Sequence, residues 1–112
     1  MRPERLFFQD ILEAADAVAE FLSSVDREAF VRDDLLRSAV LHKLTVVGEA
    51  AARVSAETRA ANSSVPWADV VGFRNIAVHA YFAVDWSIVW TTATKDLPTL
   101  RAAVAAILGA ED

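Results

Sequence analysis

The chain has 112 residues, 54% of them hydrophobic and 24% charged, which fits one folded helical domain spanning 1–112 and excludes a disordered or two-domain chain. Cysteine is absent and histidine occurs twice, so disulfides and thiolate metal sites are excluded, and neither a metal nor a cofactor is expected. A net charge of −5 argues against a broad basic face for duplex nucleic acid, leaving a small local site or a surface assembled by oligomerisation.

Residues 4–47 contain neither glycine nor proline, and twenty-two alanines favour helix throughout. The opening "MRPERLFFQD" has no apolar signal core, and no apolar run reaches the ~20 residues of a membrane span, so a cytoplasmic protein is expected. The first helix is predicted from Pro3 to about Ser24, with Phe7, Ile11, Ala15, Val18 and Leu22 at helical spacing. Asp26 reads as the cap of a short connecting helix.

A long helix is predicted from Asp33 or Asp34 to roughly Ser55, with a core stripe of Leu36, Val40, Val47, Ala51 and Val54. His42, Thr45, Glu49 and Arg53 form a polar stripe on the same helix, either a solvated face or part of a site. Gly48 stands out, because glycine inside a helix costs about 1 kcal/mol against alanine and implies a close approach there. "SAETRAANSS" reads as a weak helix and a turn. Ser64 and Pro66 then start a helix predicted to reach about His79. Asp85 caps the next, with Trp86, Val89, Trp90 and Ala93 on one face, and Pro98 either kinks that helix or restarts it behind Asp96. Leu100, Val104 and Leu108 make the last stripe. The expectation is an all-α, up-and-down bundle of about five helices.

The segment "RNIAVHAYF" at 74–82 gathers the groups with chemistry. Positions 74 and 79 lie about 140° apart around a regular helix, so Arg74 and His79 do not converge within one chain, whereas Asn75 and His79 do. Either the helix is irregular there or a second copy in a two-fold dimer supplies the missing group. A histidine that titrates near neutrality and an arginine that forks onto phosphate oxygens suit metal-free cleavage of RNA, whose 2′-hydroxyl is an internal nucleophile. Asn75 would hold a phosphate or orient the imidazole. Residue types alone also allow a structural histidine near a helix end, a core Tyr81 and an Arg74 that merely neutralises Asp69.

"RNIAVHAY" fits the R-x4-H-x-Y motif and resembles the HepT-like ribonuclease toxins of the HEPN superfamily. "VGEAAARVS" at 47–55, "VPW" at 65–67, "GFRNIAVHAYFAVDW" at 72–86, "VW" at 89–90 and "DLPTL" at 96–100 are similar to that family in the same order. Ala80 stands where many members carry glycine, a position the motif leaves open. The resemblance implies a HEPN-like homodimer and a metal-independent endoribonuclease toxin of a type II toxin–antitoxin system. Arg74 and His79 would be its catalytic pair at the subunit interface, beside Asn75. It also implies a minimal nucleotidyltransferase antitoxin as partner, assembling with the dimer and attaching AMP to Tyr81. Glu49, in the family-like "GEAA", is the candidate carboxylate for orienting Arg74 or His79, and equally a partner for Arg53. The alternative is a non-catalytic HEPN binding subunit that partners a nucleotidyltransferase.

Overall fold

A computed structural model of the chain describes the backbone of residues 2–83 and 85–111 and the side chains of 2–76 and 85–110. Seven α-helices follow one another: α1 (Glu4–Phe21), α2 (Arg27–Arg32), α3 (Asp34–Ala52), α4 (Ala56–Ala61), α5 (Trp67–Ala83), α6 (Trp86–Thr91) and α7 (Leu97–Glu111). A π-helical segment, Thr92–Asp96, joins α6 to α7. The described residues include no strand. The expected five helices become four long rods, of which α6, the π segment and α7 make one, plus the short α2 and α4.

Caps set most of the helix starts. The Ala29 amide donates to Asp26 Oδ1 at 2.8 Å, that of Leu36 to Asp33 Oδ1 at 3.0 Å, and that of Ser87 to Asp85 Oδ1 at 2.9 Å. Each satisfies a donor that has no partner within its own helix. Helix α1 ends at Phe21, three residues before the predicted stop. The turn after it needs a left-handed residue, which Ser24 supplies at φ 63°. The start of α5 is fixed by its first residue and not by Ser64: Trp67 Nε1 donates to the Asn62 carbonyl at 3.1 Å, and the Pro66 carbonyl accepts from the Val70 amide.

Pro98 restarts the helix behind Asp96, as one reading of the sequence had it, but without a break in the rod. The Leu97 amide reaches back five residues to the Thr92 carbonyl, and this wider turn accommodates the proline ring. Thr92 and Thr94 send their hydroxyls to the carbonyls of Ile88 and Trp90, at 3.0 and 2.7 Å.

Helix α3 is the centre of the bundle, packing on α1 on one side and α5 on the other, while α1 also packs on α7. The core runs through Phe8, Ile11 and Val18 of α1, Val40, Leu44, Val47 and Ala51 of α3, Val70 and Phe73 of α5, and Leu97, Leu100 and Val104 of α7. In α1 the deep position is Phe8 and Phe7 is only half-buried. Phe30, the buried residue of α2, meets Trp86 and Trp90 with ring centroids 6.3 and 5.5 Å away. The Arg37 guanidinium covers the Trp86 ring at 4.7 Å and donates to the Val31 carbonyl at 2.8 Å. Helix α6, which follows the end of α5, is thereby held by aromatic and cation–π contacts.

Candidate active site

Helices α3 and α5 approach closely at Gly48. A Cβ built there would lie 2.5 Å from the Arg74 backbone nitrogen, 3.0 Å from the Arg74 Cβ and 3.0 Å from the Val71 carbonyl oxygen. No side chain fits that space, which accounts for a glycine in the middle of a long helix. The next residue, Glu49, reaches the other end of the same arginine, with Oε1 3.8 Å from Arg74 Nη1. Arg74 is therefore met at its root by one residue of α3 and at its tip by the following one.

The pair stays wet. The side chains of Arg74 and Glu49 are 40% and 53% exposed, and 3.8 Å exceeds a hydrogen-bond distance, so such a pair is worth about 0–1 kcal/mol. Weak holding matters chemically, because the forked guanidinium donors remain free to turn onto an anion. The sequence left Glu49 to orient Arg74 or His79 or to pair with Arg53, and Arg74 a choice between Asp69 and another carboxylate. The structure pairs Glu49 with Arg74.

Beside the pair, Asn75 is exposed. His79 and Tyr81 lie outside the residues whose side chains are described. The backbone of α5 continues to Ala83, beyond the predicted stop near His79, so positions 74 and 79 share one helix.

Glu49 also lines an open groove of about 430 Å³ between α1 and α3, together with Arg2, Phe7, Asp10, Thr45 and Arg53. Thr45 and Arg53 thus belong with Glu49, as the polar stripe suggested, while His42 is exposed and does not line the groove. The α1 side was not anticipated. Arg2 pairs with Asp10 and sits 5.0 Å from the Phe7 ring centroid, a contact across the start of a helix that no periodicity signals. The hydrogen bond to Asp10 raises the Arg2 pKa above its usual value. A second cavity, about 380 Å³ between α5 and α7, has Asp69 and Asp96 as its charged walls, a poor setting for a polyanion. Among the described residues, no three acidic or histidine side chains cluster as a metal site, and no helix is long and apolar enough to cross a membrane.

The family model described as "Ribonuclease HepT-like" matches residues 11–107. The chain belongs to the HepT-like ribonuclease family. Among its relatives, "Putative RNase MJ1380" of Methanocaldococcus jannaschii is 35% identical over 100 residues, covering 89% of this chain and 92% of the relative. "Putative RNase TTE0752" of Caldanaerobacter subterraneus is 33% identical over 99% of both chains. "Probable ribonuclease HepT" of Thermococcus cleftensis is 30% identical over 89% of this chain and 91% of its own length. No solved structure gives a significant match. The HepT-like span includes Gly48, Glu49, Arg74, Asn75, His79 and Tyr81 and begins after Arg2, Phe7 and Asp10 of the groove.

Proposed function

We propose that this HepT-like protein is a metal-independent endoribonuclease and the toxin of a type II toxin–antitoxin system, acting in the cytoplasm as a homodimer of one HEPN-like domain. The observation that carries the reading is the Arg74 guanidinium, rooted on α3 yet half-exposed and loosely paired, in a helix that also carries His79 and in a chain of ribonuclease family.

In this reading the ribose 2′-oxygen attacks the adjacent phosphorus and the bond to the 5′-oxygen breaks. The products are a 2′,3′-cyclic phosphate and a free 5′-hydroxyl. His79 transfers a proton, taking it from the 2′-hydroxyl or giving it to the leaving oxygen, and Arg74 neutralises charge that builds on the phosphoryl oxygens. Asn75 holds a neighbouring phosphate or orients the imidazole, and Glu49 steadies Arg74. A continuous helix sets positions five apart about 140° from each other. This supports a cleft in which Arg74 of one protomer works with His79 of its partner. The 74–82 segment carries no acidic residue, which supports phosphodiester cleavage without a pair of carboxylate-held metal ions.

The minimal nucleotidyltransferase antitoxin transfers AMP from ATP to the Tyr81 hydroxyl with release of pyrophosphate. An anionic adduct two residues from His79 then blocks RNA and repels its phosphates.

The test is cleavage of an RNA oligonucleotide in EDTA by wild type, Arg74→Ala and His79→Ala, with oligomeric state checked by light scattering. Loss of the 2′,3′-cyclic product in both variants is expected, and cleavage surviving both sinks the assignment. The acidic charge of −5 favours one other reading, a non-catalytic HEPN subunit that only presents Tyr81 to the nucleotidyltransferase. That alternative gives modification without cleavage at stoichiometric protein.

A further inference from the structure

A helix-interior glycine is costly, and the chain keeps one at position 48. The space it leaves is filled by the root of a single side chain, the Arg74 nitrogen and Cβ, together with the Val71 carbonyl. These are stiff atoms, so a methyl group at 48 would not be absorbed by a rotamer change. The other glycines are different, since a Cβ on Gly72 or Gly109 meets nothing within 4 Å.

We propose that Gly48 is a positioning residue for Arg74, seating the backbone of the arginine against α3 and so setting how far its guanidinium reaches into the cleft. The inference rests on the reading of Arg74 as the group that neutralises charge building on the reacting phosphate. Among the described residues the tip of Arg74 meets one half-exposed ion-pair partner, 3.8 Å away, and screening by water makes that pair weak. The reach of the side chain is therefore fixed at its root.

A Cβ at 2.5 Å has to move out to the ordinary contact of 3.4 Å, which displaces the Arg74 backbone by about 0.9 Å. Misplacement of a catalytic group by about 1 Å costs on the order of a hundredfold in rate. In an isolated helix, alanine would be the better residue at 48. The loss belongs to the contact with α5.

Gly48→Ala is compared with wild type in single-turnover cleavage of an RNA oligonucleotide. Affinity is measured with its 2′-O-methyl counterpart, which lacks the nucleophile. The expected result is a rate reduced about a hundredfold, with affinity for the uncleavable strand little changed, because Arg74 acts on charge that develops in the transition state. Gly109→Ala serves as the control for a helix glycine in open space, and Val104→Ala for lost core packing away from the site. Both should cleave at the wild-type rate per folded molecule. If Gly48→Ala folds only in part, its rate per folded molecule, with the fraction taken from circular dichroism, carries the same decision. A near-wild-type rate for Gly48→Ala beside an inactive Arg74→Ala overturns the inference alone. An equal fall in Val104→Ala overturns it too, by making the effect one of stability. Wild-type cleavage by Arg74→Ala instead removes the reading of the site on which the inference stands.

Discussion

Replacing Phe30 with alanine removes the one buried side chain of α2. A six-residue helix does not persist in water by itself, so α2 depends on this ring for its docking. Phe30 is 0% exposed. A phenylalanine ring buries about 150–250 Å², worth roughly 4–6 kcal/mol at about 25 cal/mol per Å². That figure is an upper bound, because the unfolded chain already hides part of the area. Each of the contacts with Trp86 and Trp90, at 6.3 and 5.5 Å, adds about 0.5–1.5 kcal/mol beyond area. The expected loss is about 4 kcal/mol, a large part of the ~5–15 kcal/mol that holds a domain together. Phe30→Leu keeps most of the volume and loses the ring pairs, so it should cost about 1–2 kcal/mol. Urea unfolding at fixed protein concentration, followed by tryptophan fluorescence and circular dichroism, measures both. A loss below about 1 kcal/mol for Phe30→Ala refutes the docking of α2 on α6. Because α6 follows α5, the same variant should also lose ribonuclease activity at a lower temperature than wild type.

Three further outcomes are expected. Glu49→Gln should change stability by less than about 1 kcal/mol while lowering the cleavage rate by less than about tenfold. A fall as deep as that of Arg74→Ala would give Glu49 a proton-transfer role instead. Asp33→Ala removes the cap of α3 and should cost about 1 kcal/mol in urea midpoint measurements, and an unchanged midpoint counts against the 3.0 Å bond. Asp16 accepts from Arg101 Nε at 2.7 Å, and that hydrogen bond holds its pKa below the usual carboxylate value. The pair's contribution is then present above the unfolded pKa of about 3.9 and lost as pH falls through the lower folded value. The stability gap between wild type and Asp16→Asn should therefore close in acid, and a gap that stays constant from neutral pH to about pH 2 refutes the pairing.

Much of this was legible in the residues because local rules dominate there. The caps Asp26, Asp33 and Asp85 act within three residues of themselves, and the stripe Ile11, Ala15 and Val18 faces the core as its spacing requires. What stayed hidden depends on distant chain. Gly48 announced a close approach through its cost, but its partner Arg74 is on another helix, and no periodicity relates the two. Glu49 and Arg53 are four apart, a spacing that stabilises pairs on a helix, yet the packing of α5 offered Glu49 a different arginine. The turn at Ser24 used a left-handed serine where sequence reading looks for glycine. The restart behind Asp96 was legible from Pro98, but the π-helical widening that keeps the rod unbroken there was not.

Helix α4 has a consequence of its own. It buries no residue, and polar bonds hold it. Glu4 accepts from the Ser55 amide and the Thr58 hydroxyl at 2.8 and 3.2 Å, and Arg59 donates to the Val54 and Ala51 carbonyls at 3.2 and 2.9 Å. Such a segment opens without exposing oil to water, so its amides should exchange with solvent long before those of α3, independently of the global unfolding equilibrium. It is also the stretch where an inserted peptide, a protease-sensitive tag or a fluorescent label can be carried while the core and the α3–α5 contact stay as they are.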